Sequence, residues 1–178
     1  MDFSRCAAAF AAPVLAICSQ VMKLRGADVE FEVLLPEDGK LAKLFRNANW
    51  AHFLDPEKNL PSQFKGFSQV PATHFTNAEE QRQAVNRIVN GILGAIPNLE
   101  RTELAALEWS VNEITDNVLV HSQSPIGGLV QVSTFQKAKK LVEYIVVDAG
   151  VGIRKRFASP TPNSRPTRLR WTWPSARG

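Results

Sequence analysis

Three polar residues recur at intervals of four in the middle of the chain: Glu113, Asn117 and His121. In a helix that spacing lines them up on one face. A carboxylate so placed can take a proton from water, and an amide oxygen can ligate a hard cation such as Mg²⁺. The same pattern also describes the polar face of an ordinary amphipathic helix. Further on, the apolar run Tyr144-Ile145-Val146-Val147 leads directly into Asp148-Ala149-Gly150-Val151-Gly152-Ile153. An acid at a strand end can accept a hydrogen bond from an exocyclic amino group. Two glycines separated by one residue let the backbone come close to a ligand. Taken alone, this second pattern equally describes a simple turn.

The elements that would carry these residues follow from hydrophobic periodicity. Leu104, Leu107, Val111, Ile114 and Val118 predict a helix over 102–120, with the Glu113–Asn117–His121 line offset from its apolar stripe. Val85, Ile88, Val89, Ile92 and Leu93 predict a preceding helix from Thr76 to residue 95, with Thr76 and Glu79 at capping-box spacing and Pro97 ending it. Strands are expected at 129–135 and 141–147, joined by an exposed loop over 136–140. Pro56, Pro61, Gly66 and Pro71 mark 57–75 as a linker.

Residues 1–56 read as a smaller unit. Pro13 opens a helix over 13–24 with Val14, Ile17, Val21 and Leu24 on its stripe, and Lys23, Arg25 and Gly26 end it. Alternation over Val29–Leu34 predicts a half-buried strand, and Leu41 to Phe45 a short helix, with Trp50 and Phe53 covering a core. Residues 6–18 have the apolar character of a secretory signal, but Asp2 stands where positive charge is expected and Ile17 precedes Cys18. A core helix is therefore the expectation.

Bulk composition narrows the function classes. Hydrophobic residues make up 44% of the chain and charged residues 21%, which suits a globular protein with no bilayer span. The net charge of +4 is unevenly placed. Seven of the 21 Lys and Arg residues lie in 154–178, which holds no acid; the other fourteen face all 17 acids, a net of −3. The basic character belongs to a Pro- and Arg-rich tail, expected to be disordered, which argues against a general nucleic-acid binder. Cys6 and Cys18 form neither a metal-ligand pattern nor a disulfide framework, and buried reduced thiols in a cytoplasmic protein are expected.

In order along the chain, a helix with ExxxN, two strands and then DxGxGI resembles the GHKL (Bergerat-fold, histidine kinase-like) ATPase superfamily. Asn112 to Ser122 is similar to its N box, with the anti-sigma-factor and related regulatory branch the nearest in flavour, and Asp148 to Ile153 to its G1 box. The resemblance implies an incomplete two-layer α/β sandwich over 76–153 that binds ATP and Mg²⁺. By position, Glu113 would act on the attacking water or hydroxyl, Asn117 would hold Mg²⁺, and Asp148 would bind the adenine amino group. Gly150 and Gly152 would let the chain wrap the nucleotide, and His121 would orient the helix end or simply pack.

Two departures qualify that expectation. The family's glycine-rich lid box is absent, since the only glycine after Gly152 is Gly178, and the tail reads like a truncated or frame-shifted end. Residues 1–56 resemble the later half of a STAS-like regulatory domain, which implies a regulatory protein partner. The functional expectation is an ATP-binding regulatory protein, with phosphoryl transfer or ATP hydrolysis in intact relatives. The alternative is a non-catalytic nucleotide-sensing or protein-interaction module.

Overall fold

The structure is a computed structural model describing residues 1–37, 39–63, 69–135 and 141–152. It is mixed α/β. Among the described residues, five α-helices, one 3₁₀ turn and three strands run in the order α1 (Ala11–Arg25), α2 (Gly39–Asn47), α3 (Trp50–Leu54), β1 (Gln69–Phe75), α4 (Ala78–Ala95), the 3₁₀ turn Arg101–Leu104, α5 (Ala105–His121), β2 (Gly128–Phe135) and β3 (Leu141–Asp148).

The strands form one antiparallel sheet in the order β1-β2-β3, with Gly128 opposite Asp148 and Val130 opposite Val146. Side chains alternate between its faces. Val130, Val132, Tyr144 and Val146 pack with Phe75 of β1 and with α4 and α5, where Val85, Ile88, Val89, Ile92, Val111 and Val118 are buried. Leu129, Ile145 and Val147 point the other way, into a second core with Leu15, Cys18, Val21, Phe45, Trp50 and Leu54. Helices therefore cover both faces of the sheet. The layer formed by α4 and α5 comes from the segment expected as an α/β unit, and α1 and α3, from residues 1–56, lie on the opposite face.

Several sequence expectations shift. The segment expected as a linker, 57–75, supplies β1. Pro71 hid this strand, because proline cannot donate to a ladder and is confined to edges and irregularities. The register slips between Val70 and Thr73, and Ala72 turns to the neighbouring helices instead: its N–H donates to Ala48 O at 2.9 Å, and Asn49 Nδ2 donates to its carbonyl at 3.0 Å. The strand expected at Val29–Leu34 forms no ladder among the described residues. It makes a single parallel bridge, Asp2 with Leu34, with Phe3 N–H on Leu34 O at 2.7 Å and Leu34 N–H on Met1 O at 2.9 Å. Its alternating pattern meets only the first few residues of the chain.

The helices begin and face differently in detail. Asn77, not Thr76, caps α4, its side chain accepting from the N–H groups of Glu79 and Glu80; such a cap is worth about 1 kcal/mol. Glu80 takes the Thr76 N–H and hydroxyl, and these bonds hold its carboxyl below its usual pKa. On α5, Thr115 is fully buried where Ile114 was expected, with Gln81 Nε2 donating to its hydroxyl at 2.8 Å, and Ile114 is partly exposed. On α1, Val14 and Val21 are buried as expected, Leu24 is exposed, and Leu15 and Cys18 join the buried stripe. Burial pushes the Cys18 thiol up to about 12, whereas Cys6, also expected inside, is exposed. No helix of the described residues is long and apolar enough to cross a membrane. The loop 136–140, Ile153 and the tail 154–178 lie outside the described residues.

Candidate functional site

Helix α5 is the element that sets out Glu113, Asn117 and His121. Its buried side is formed by Val111, Thr115 and Val118, so the three polar residues, displaced around the helix, are exposed. Glu113 and Asn117 make no side-chain hydrogen bond or ion pair among the described residues. Both are thus available to a ligand without breaking an internal contact. No group of three His, Cys, Asp or Glu side chains able to share a metal occurs among the described residues. A magnesium ion needs no such cage, because it keeps several waters and binds through one or two protein oxygens plus phosphate.

Asp148 is the last residue of β3 and is half-buried. Strand alternation puts it on the same face as Tyr144 and Val146, the face that α5 covers. Its Oδ1 accepts the Gly150 N–H at 2.7 Å, closing a tight turn. Its second carboxylate oxygen accepts nothing among the described residues.

The turn after Asp148 is clamped from both sides of the sheet. Val151 N–H donates to Ser122 O at 2.9 Å, and Ala149 N–H to Ser124 Oγ at 3.2 Å, which ties the turn to the C-terminal end of α5. From α1, Lys23 Nζ donates to Ala149 O at 2.9 Å and Ser19 Oγ to Asp148 O at 3.5 Å. Gly150 packs on the Ser122 carbonyl so closely that a β-carbon there would collide with it. Gly152 differs: its φ is +70° and no atom of the described residues lies within 4 Å of where a β-carbon would be. The first glycine serves internal packing, and the second adopts a backbone shape that favours glycine.

The two sequence patterns therefore meet at one place, the end of α5. Measured along the helix axis from Ser122, Asn117 lies about 7.5 Å away and Glu113 about 13.5 Å away, from the rise of 1.5 Å per residue. Ser19 and Lys23 are site-supporting residues that sequence reasoning missed. Lys23 reads from sequence as a helix-end charge, and nothing local connects it to a carbonyl 126 positions later. Ser122 was legible only as the end of the box that begins at Asn112.

Comparison of the chain with protein-family models, with curated proteins and with solved structures finds no match.

Proposed function

We propose that the chain binds an adenine nucleotide with Mg²⁺ along α5, with Asp148 at the base end, Asn117 at the metal and Glu113 beyond it. One observation carries this: the Asp148–Val151 turn is bonded to the end of α5, on the sheet face where Asp148 points, with Asn117 and Glu113 following at one-turn steps. A free carboxylate oxygen, an unengaged amide and an unengaged carboxylate thus lie in the order in which a nucleotide presents amino group, phosphates and the point of attack. Bound Mg²⁺ would neutralise phosphate charge there. Asp148 would accept from the amino group, Asn117 would offer its carbonyl oxygen to the cation, and Glu113 would orient or deprotonate a water or hydroxyl.

The sheet with α4 and α5 would then be an incomplete Bergerat-type two-layer sandwich, and residues 1–56 a STAS-like unit suited to a regulatory protein partner in bacterial, cytoplasmic signalling. For the 178-residue chain, nucleotide binding or sensing is favoured over turnover. Phosphoryl transfer depends on preorganised donors around the terminal phosphate. Residues 153–177 contain no glycine and have prolines at 160, 162, 166 and 174, which lack the N–H such a loop would supply.

Titration of the full chain with ATP, with and without Mg²⁺, tests the proposal. Saturable binding that weakens on chelation of the metal supports it. No binding at about 1 mM nucleotide overturns it.

A further inference from the structure

Helix α5 carries the acids Glu108, Glu113 and Asp116 and has no Lys or Arg. Glu108 is paired with Arg101. Glu113 and Asp116 are exposed and form no ion pair among the described residues. They share one stripe of the outward face with two exposed apolar side chains, because Trp109, Glu113, Asp116 and Val120 stand at i, i+4, i+7 and i+11. Trp109 is 67% exposed and Val120 62%. One exposed apolar residue needs no explanation. An indole and a branched chain flanking two unpaired carboxylates on a single stripe make a surface that suits a segment both basic and apolar.

A second copy of α5 does not suit this stripe, since antiparallel pairing would set Glu113 of one chain against Asp116 of the other. The chain itself supplies the complement. After Gly152 it reads Ile153-Arg154-Lys155-Arg156-Phe157, three cations and an aromatic ring with no acid. This segment also starts in the right place, because the Val151 N–H is bonded to Ser122 O at the end of α5. Measured back from Ser122, Asp116 and Glu113 lie about 9 and 13.5 Å along the axis, and their face lies about 10 Å around the helix. At about 3.3 Å per extended residue, roughly four to five residues beyond Val151 reach the two acids, and about seven reach Trp109. Those positions fall on Lys155 and Arg156 and, within a residue, on Phe157.

We propose that the segment 154–157 seats on this stripe of α5 in its own chain, its cations on Asp116 and Glu113 and the Phe157 ring against Trp109. The seat includes Glu113, so the seated segment and a nucleotide placed as above exclude each other there. The seating itself does not depend on the nucleotide reading.

Zero-length carbodiimide crosslinking of the full chain, without nucleotide, tests it, because the reagent joins a lysine amine to a carboxylate in contact with it. An equal mixture of isotopically heavy and light protein is treated, and the joined peptides are read by mass spectrometry. Lys155 is expected to join Asp116 or Glu113 within one chain. Products joining heavy to light chains at these residues overturn the proposal, as do links from Lys155 to other carboxylates alone, or none. Tryptic cleavage after residues 154–156 gives a second readout. Glu113→Gln with Asp116→Asn, and separately Trp109→Ala, should raise its rate about threefold or more, the scale of losing weak surface contacts. Circular dichroism should stay native, since the replaced side chains are exposed. A parental cleavage rate in either variant overturns the proposal.

Discussion

Gly150 rests against the carbonyl oxygen of Ser122, in a position where a β-carbon would collide with that oxygen and come within 2.9 Å of Asp148 Oδ1. Neither neighbour can yield easily: one is backbone, and the other is held by the Gly150 N–H itself. Gly150→Ala should therefore destabilise the fold by about 1–3 kcal/mol, the usual cost of overpacking. Gly152→Ala meets no atom of the described residues and should lose only the left-handed backbone preference, about 1 kcal/mol. Urea melts of the two variants check the order, and an equal or reversed order would contradict the clamped turn.

Asp148→Asn should keep the turn and weaken adenine-nucleotide binding. An asparagine side chain still offers one oxygen to the Gly150 N–H, which takes Oδ1 at 2.7 Å in the parent. Its amide nitrogen then replaces the second carboxylate oxygen and cannot accept from an exocyclic amino group. The loss should be about 1–3 kcal/mol of binding, or roughly fivefold to a hundredfold in affinity. Unchanged ATP affinity with an unchanged melting curve would remove Asp148 from the base site.

Glu113→Ala and Asn117→Ala should leave stability within about 0.5 kcal/mol of the parent, because both side chains are exposed and unengaged among the described residues. Their ligand effects should differ. Asn117→Ala loses the Mg²⁺ dependence of nucleotide binding. Glu113→Ala keeps nucleotide binding and abolishes whatever phosphate release the parent has. A magnesium titration and a phosphate-release assay separate the two, and parental behaviour in both would refute these roles.

Across the sheet, Trp50 Nε1 donates to Gln131 Oε1 at 2.8 Å, and both residues are buried. Gln131 Nε2 has no partner among the described residues. Trp50→Phe strands a second polar atom of Gln131, and Gln131→Leu strands the indole N–H, so each should cost about 1–3 kcal/mol. The double variant removes both ends and the unpartnered amide nitrogen together. It should therefore be more stable than the sum of the single losses allows, by about 1 kcal/mol or more. Thermal denaturation of the four proteins completes the cycle, and strict additivity would mean that the bond contributes nothing specific.

Local patterns in the chain were enough to determine the elements that bury a continuous apolar stripe. The runs in α4 and α5 and the two β-rich segments at 128–135 and 141–148 stand within a few residues of where periodicity puts them, because burial of one face depends on spacing that is written locally. The line of Glu113, Asn117 and His121 was legible for the same reason. What the tertiary structure alone decided involves partners far apart in sequence. β1 exists because β2 supplies its ladder and Ala48 and Asn49 accept the residue that Pro71 displaces, and no propensity near Pro71 indicates either. The alternating stretch at 29–34 lacks such a partner beyond residues 1–3 and stays a single bridge. Thr115 is buried in place of Ile114 because Gln81, on another helix, satisfies its hydroxyl. Likewise, the turn after Asp148 could be read as glycine-rich from sequence, but that it is anchored by Ser122 from one side and by Lys23 from the other depends on how α5 and α1 pack on opposite faces of one sheet.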